Sequence, residues 1–175
     1  MKCQQRDIQL HRMNKVLIIA PLSIAIGTKY KKERPEWLKM ANLEAVLTLP
    51  GNLFAGQEAG VHTCLMVWKT GQSENKETYL MNCKNDGFIV LKGQRFDKKG
   101  NWETVRKGWL SMYLERYSDK PTLAVSKKLT AKDCWLADAW VETDYSQLTE
   151  QHFEKTIRDY LAFRVSVFGN SNIEE

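Results

Sequence analysis

Four cysteines (Cys3, Cys64, Cys83, Cys134) and three histidines (His11, His62, His152) are the first residues in this chain to test for chemistry. Their spacing argues against a metal or a disulfide scaffold. No two cysteines stand as C-x-x-C, and no histidine pair has metal-ligand spacing. Scattered thiols of this kind fit a reducing cytoplasm. The carboxylates Asp133, Asp138, Glu142 and Asp144 gather in one stretch, where capping or solvated roles suit them better than catalysis. Lys127 and Lys128 could meet phosphate, although a solvated pair is the simpler reading. Trp135, Trp140 and Tyr145 could stack bases, or could be core. There is no G-x-G-x-x-G turn, no P-loop lysine and no G-x-S-x-G elbow.

The elements that must position such residues follow from hydrophobic period. Residues 15–20, Lys-Val-Leu-Ile-Ile-Ala, form a continuous β-branched run ended by Pro21. A run without polar alternation predicts a central strand covered on both faces, as in a parallel α/β sheet. The apolar stretch 16–26 also resembles a secretory leader. Asp7 and Pro21 sit badly in a leader, and the stretch is shorter than the roughly 20 residues a membrane span requires. Residues 28–42 read as a short helix with Tyr30, Trp37, Leu38 and Met40 available for burial. Strands follow at 43–49, stopped by Pro50-Gly51-Asn52, and at 61–68. A fourth, at 78–82, is expected antiparallel because its connection is short. Residues 88–91 add a short edge.

After Gly100 the period changes. Val105, Trp109, Leu110, Tyr113 and Leu114 recur at helical spacing over 102–117. Residues 122–125 are short and extended. Thr130 and Asp133 form a variant capping box that predicts a helix from about residue 129. Thr149 caps a last helix over 150–168, with Phe153, Ile157, Tyr160, Leu161, Arg164 and Val165 on one face and Gly169-Asn170 as its stop. The expected division is an α/β domain over 1–118 and a helical carboxy-terminal extension over 119–175.

A 175-residue chain that is 43% hydrophobic and 27% charged can bury a core of its own. Its net charge of +5 is compatible with a polyanionic partner such as DNA but does not require one.

The most informative stretch runs from Ala45 to Trp68. A strand ends at Leu49-Pro50, a loop presents Phe54, and a returning strand carries Val61, Thr63 and Cys64. With Pro21-Leu22-Ser23 upstream, this order resembles the late motifs of the adenine-N6 DNA methyltransferases of restriction–modification systems, in particular the modification subunit of type I systems. Asn85-Asp86-Gly87-Phe88, Arg95-Phe96-Asp97, Trp109-Leu110, Lys132-Asp133-Cys134-Trp135, Glu142-Thr143-Asp144-Tyr145 and Phe153 extend the resemblance, so that it covers 16–168.

The resemblance implies a fold: the carboxy-terminal half of a Rossmann-like methyltransferase sheet, mixed α/β and ending in an antiparallel hairpin, plus the helical extension. It implies that Phe54 packs on the target adenine once the base has left the duplex. A loop anchor packed against the sheet is the competing role for that residue. The family's methyl donor is S-adenosylmethionine, bound through a glycine-rich turn after the first strand and an acidic residue after the second. Transfer itself uses an Asn/Asp-Pro-Pro-Tyr/Phe motif. None of these stands in this sequence, where Pro21, Pro35, Pro50 and Pro121 are all isolated.

The expectation is therefore a fragment that is truncated, split, or expressed from an internal start. Such a fragment has no catalytic, cofactor or metal residue of its own and is inactive alone. Its expected partners are DNA, the amino-terminal methyltransferase half and a specificity subunit, with no membrane. A non-catalytic DNA- or protein-binding module is one alternative. The other is a decayed remnant, whose strand at 16–20 would be left unpaired and would invite dimerisation.

Overall fold

The structure is a computed structural model that describes residues 15–55, 61–71, 76–116, 121–143, 145–146 and 148–168. Cys3, His11, Asp144 and the Gly169-Asn170 stop lie outside the described residues. The chain divides into two compact units, Met1–Glu142 and Thr143–Glu175.

The first unit is built on β1 (Lys15–Pro21), β2 (Ala41–Thr48), β3 (Thr63–Thr70), β4 (Thr78–Asn82) and β7 (Ala124–Lys127), in the order β1-β3-β2-β4-β7. β3 runs antiparallel to both of its neighbours. β2 and β4 are parallel, and β7 closes the far edge antiparallel to β4. The fold class is thus the mixed α/β sheet expected.

One pairing differs from expectation. β4 does run opposite to β3, as its short connection requires, but it pairs with β2 instead. The reason lies in the neighbours of β3, which is already flanked by β1 and β2. Beside β2, the first four residues of β4 are buried.

Both faces of the sheet are covered. On one face Leu43, Val46, Met66, Trp68 and Leu80 pack against α1 (Leu22–Ile26), α2 (Arg34–Met40) and the segment carrying Leu129, Trp135 and Leu136. On the other, Ala45, Val67, Tyr79 and Met81 meet Trp109, Met112 and Tyr113 of α3 (Trp102–Glu115). A β-bulge between Leu43 and Ala45 makes this possible. In a regular strand Leu43 and Val46 would face opposite sides. The extra residue returns Val46 to the side of Leu43 and turns Glu44 toward α3.

There Glu44 accepts from Lys15 Nζ at 2.8 Å and Tyr113 OH at 2.9 Å, and is paired with Arg116. Burial alone would raise this carboxyl. The Lys15 and Tyr113 hydrogen bonds and the Lys15 and Arg116 charges outweigh it and hold the group below the usual range.

Arg34 is fully buried among this packing. It donates to the carbonyls of Ile24, Ala131 and Asp133 and lies 4.5 Å from the Trp135 ring centroid. It thereby ties α1, α2 and the 129–135 segment together. Burial lowers its pKa from the ordinary arginine value, offset in part by Cys134.

Three local expectations change. Thr130 and Asp133 do form the expected cap, Thr130 N–H donating to Asp133 Oδ2 at 2.7 Å, but it closes a turn and no helix follows. The chain is drawn inward because Trp135 N–H bonds the Ala25 carbonyl at 3.0 Å and its ring enters the core. Residues 88–91 do not edge the main sheet. They form β5 (Phe88–Leu91), paired with β6 (Gln94–Asp97) through Lys92-Gly93 at φ 49° and 77°. On α3, Trp109, Met112 and Tyr113 face inward while Leu110 and Leu114 are exposed.

β7 and Leu129–Trp140 pack with the sheet, in the compact unit that runs to Glu142. The second unit contains α4 (Glu150–Phe168), which starts directly after Thr149 as expected. Thr149 N–H donates to His152 Nδ1 at 3.2 Å.

The largest correction concerns β1. It is an edge strand among the described residues, paired with β3 alone. Val16, Leu17, Ile18 and Ile19 are exposed, with Leu17 at 62% and Ile19 at 57%. The cover expected over both faces is not supplied by the described residues, and the strand expected to stand unpaired at 16–20 is paired with β3 on one side, with its other edge open among the described residues.

Candidate functional site at the strand ends

The three motif segments around Pro21, Pro50 and Thr63 converge at one end of the sheet. β1 and β2 both run antiparallel to β3, so their carboxyl ends lie beside its start. Pro21 pairs in register with Thr63, and Leu49 N–H donates to the Thr63 carbonyl at 3.0 Å. Leu22 N–H donates to the His62 carbonyl at 3.0 Å, joining α1 to the same point. The carboxyl ends of strands are where open α/β sheets place their ligands.

The loop after β2 is shaped by overlapping turns. Pro50 has no N–H to continue the ladder, which ends the strand. Leu53 N–H then bonds the Pro50 carbonyl at 3.1 Å, and Ala55 N–H the Asn52 carbonyl at 3.0 Å. Phe54 sits on these turns, half-buried. His62 packs on Gly51, where a Cβ would lie 2.5 Å from His62 Cε1. Asn52 Oδ1 is buried without a hydrogen-bond partner among the described residues. From sequence, His62 reads only as one of three unclustered histidines and Asn52 only as part of the turn that stops the strand. The Pro-Gly-Asn turn signal was the available clue.

The other residues weighed for chemistry serve the fold. Trp135 is core, and its indole N–H donates to the Thr130 carbonyl at 2.8 Å. Trp140 packs against the first core face and has Lys127 Nζ 5.7 Å from its ring centre. Asp133 is a cap, as read from sequence, and Asp138 pairs with Lys84 at 2.5 Å. Glu142 and Tyr145 are exposed. Asp86 holds Arg95 across the β5–β6 hairpin, and Asp97 accepts the Trp102 N–H at 2.9 Å to cap α3. Among the described residues no group of three His, Cys, Asp or Glu side chains could hold a metal. Burial pushes the Cys64 thiol up to about 11 and the Cys83 thiol to about 12, which keeps both protonated and unreactive at neutral pH.

No protein-family description and no characterised protein sequence matches the chain. Solved structures do. The methyltransferase subunit of a type I restriction-modification system from Streptococcus thermophilus superposes with a TM-score of 0.51 at 18% identity, over 65% of this chain and 23% of that one. The fold is similar to that of part of a type I restriction-modification methyltransferase subunit.

A modification subunit of a type I restriction enzyme from Vibrio vulnificus gives 0.48 at 16% identity, over 65% of this chain and 22% of that one. A chain from a structure of complex assembly and conformational transition in the type I system gives 0.44 at 16%, over 92% and 36%. This chain therefore spans 22–36% of the length of these three chains.

Phe54, the site residue read from sequence, stands on the loop at the shared strand ends, and at the end of α1 a Cβ on Gly27 would meet the Ser23 carbonyl oxygen at 2.4 Å.

Proposed function

We propose that this chain is the sheet-closing, carboxy-terminal part of a DNA adenine-N6 methyltransferase of a restriction–modification system. Its Phe54 loop serves as one wall of the pocket for the flipped adenine. The observation that carries this is the convergence of Pro21, the 49–54 loop and Thr63 at the carboxyl ends of β1 and β2. In this reading S-adenosylmethionine, held by other polypeptide, supplies the methyl group. The role of the present residues is to stack on the base and complete the sheet. An aromatic ring on a base is worth roughly 1–3 kcal/mol. DNA, the donor-binding half and a specificity subunit are the proposed partners, and the cytoplasm the proposed compartment. No described helix is long and apolar enough to cross a membrane.

The test is methyl transfer to adenine in duplex DNA. Residues 1–175 alone should transfer nothing. Activity should appear when a polypeptide carrying the glycine-rich turn and Asn-Pro-Pro-Tyr is added, and Phe54→Ala should lower it by about tenfold or more. Transfer by the chain alone would refute the reading.

A second reading is favoured by the exposed edge of β1: a non-catalytic module that docks by strand addition. It predicts binding to a methyltransferase subunit with no dependence of transfer on Phe54.

A further inference from the structure

Positive charge gathers around the β5–β6 hairpin. Residues 84–107 hold seven lysines and arginines against three carboxylates, a net +4 in a chain whose total is +5. Each of those carboxylates is engaged within the segment. Asp86 holds Arg95, Asp97 accepts the Asn101 and Trp102 N–H groups, and Glu103 pairs with Arg106 and Lys107. Lys84 turns to Asp138. Lys92, Lys98 and Lys99 are left over, exposed and with no carboxylate partner among the described residues. Lys92 stands in the turn between the strands, and Lys98 and Lys99 follow β6 at the hairpin's other end.

The hairpin and everything that holds it belong to the first unit. A two-stranded hairpin alone is marginal in water. Here Arg95 lies 4.6 Å from the Phe88 ring centre, Phe88 meets Trp102 edge-on at 5.8 Å, and Trp102 meets Trp109 at 5.8 Å, which reaches the core under the sheet. Lys92 occupies left-handed backbone at φ 49°, where glycine or asparagine is the ordinary choice. A lysine there gives up conformational ease and sets a cation at the tip.

Topology places this element beside the candidate site. β4 runs parallel to β2, with Thr48 and Asn82 in register at their carboxyl ends. The chain leaves β4 there, so the hairpin is built at the sheet end that carries the Phe54 loop. α3 then leads away from it, and Arg116, just past its far end, pairs with Glu44 near the start of β2. Four-residue strands set the two turns roughly 13 Å apart. That is close to the major-groove width of about 12 Å, so the two turns can meet the two backbones that border a groove.

We propose that the β5–β6 hairpin grips the phosphate backbone of duplex DNA beside the Phe54 loop, through Lys92 at one turn and Lys98 and Lys99 at the other. Contacts of this kind position the duplex and read no sequence. The proposal takes its DNA partner from the reading above and names the surface that holds it.

The experiment is fluorescence polarisation of the full 175-residue chain with a labelled, mixed-sequence duplex of about 20 base pairs, from about 50 to about 200 mM salt. Each phosphate contact adds about 0.9 to the slope of log affinity against log salt. Combining Lys92→Asn, Lys98→Ala and Lys99→Ala should lower that slope by about 2–3 and weaken binding at low salt about tenfold or more. Asparagine suits the turn and the lysines hold no ion pair, so this variant should keep the parent's thermal midpoint. Removing the same charge at Lys29, Lys31 and Lys32 should change the slope by about one or less. A parent chain that binds no duplex would overturn the proposal. So would equal slopes for the parent and the hairpin variant, or equal losses for the two triple variants, which would make the binding diffuse charge. Displacement of the duplex by polyglutamate as readily as by unlabelled DNA would overturn it in favour of an acidic protein partner. The measurement uses neither methyl donor nor helper polypeptide. Its failure is therefore separate from failure of the Phe54 reading, which the transfer assay decides.

Discussion

β1 and β2 are written in nearly the same chemical alphabet and meet opposite fates. Ala45 and Val46 of β2 are fully buried, whereas Leu17 and Ile19 of β1 are more than half exposed. The difference is one of neighbours. β2 lies between β3 and β4 with side chains packed on both faces, while β1 has β3 as its one partner among the described residues. One face of β1, at Val16, Ile18 and Ala20, opens with Trp37, Met66 and Trp68 onto an apolar groove of about 410 Å³. A strand's composition thus records the surroundings it suits, and β1 has the composition of an interior strand standing at an edge.

This contrast can be broken by mutation. The largest expected effect is in the interior: Leu80→Ala should cost about 2–5 kcal/mol in denaturant unfolding, because a fully buried side chain leaves a cavity. Leu17→Ala in β1 should stay within about 0.5 kcal/mol. Equal losses at the two sites would erase the distinction. Arg34→Met should cost roughly 3 kcal/mol in the same assay, since three part-buried carbonyls lose their charged donor. An unchanged midpoint would remove Arg34 as the clamp on the covered face.

Glu44, which anchors the start of β1 through Lys15, gives a pH-dependent test. Its folded pKa lies below the unfolded value of about 4.3, so its stabilisation is present above that value. It is lost as pH falls through the folded value. Glu44→Gln should therefore destabilise the chain by about 1 kcal/mol at neutral pH, with the gap to the parent closing on acidification. A gap that is constant with pH would contradict this. The smallest effect on stability is expected for Ile19→Lys. It should leave the thermal midpoint almost unchanged while reducing light scattering of concentrated samples, because a charge on an open edge opposes strand addition.

Much of the fold was legible because local signals and tertiary demands agree. Pro50 and Pro21 end strands, Thr149 starts α4, and Trp109 and Tyr113 mark the buried face of α3. Where they disagree, tertiary packing prevails. The Thr130–Asp133 cap is formed, yet Trp135 has more apolar surface to bury in the core than a continued helix would offer it. The partner of β4 depends on β3 already being flanked, which no window of sequence contains. Lys92-Gly93 was a readable hairpin signal. The Glu44 bulge and the Arg34 clamp were not, because their partners lie far along the chain, at Arg116 and at Ala131 and Asp133. At the strand ends the order of Pro21, Pro50, Phe54 and Thr63 was visible in sequence. Their meeting, and the packing of His62 on Gly51, follow from the register of β3.

The most direct test of the account is amide hydrogen exchange along β1, measured on this chain alone and with a polypeptide carrying the glycine-rich turn and Asn-Pro-Pro-Tyr. The account predicts that the β1 amides not bonded to β3 exchange fast alone and become protected in the mixture, as a new strand pairs with the edge. Protection of those amides already in the isolated chain, or no gain in the mixture, would contradict it.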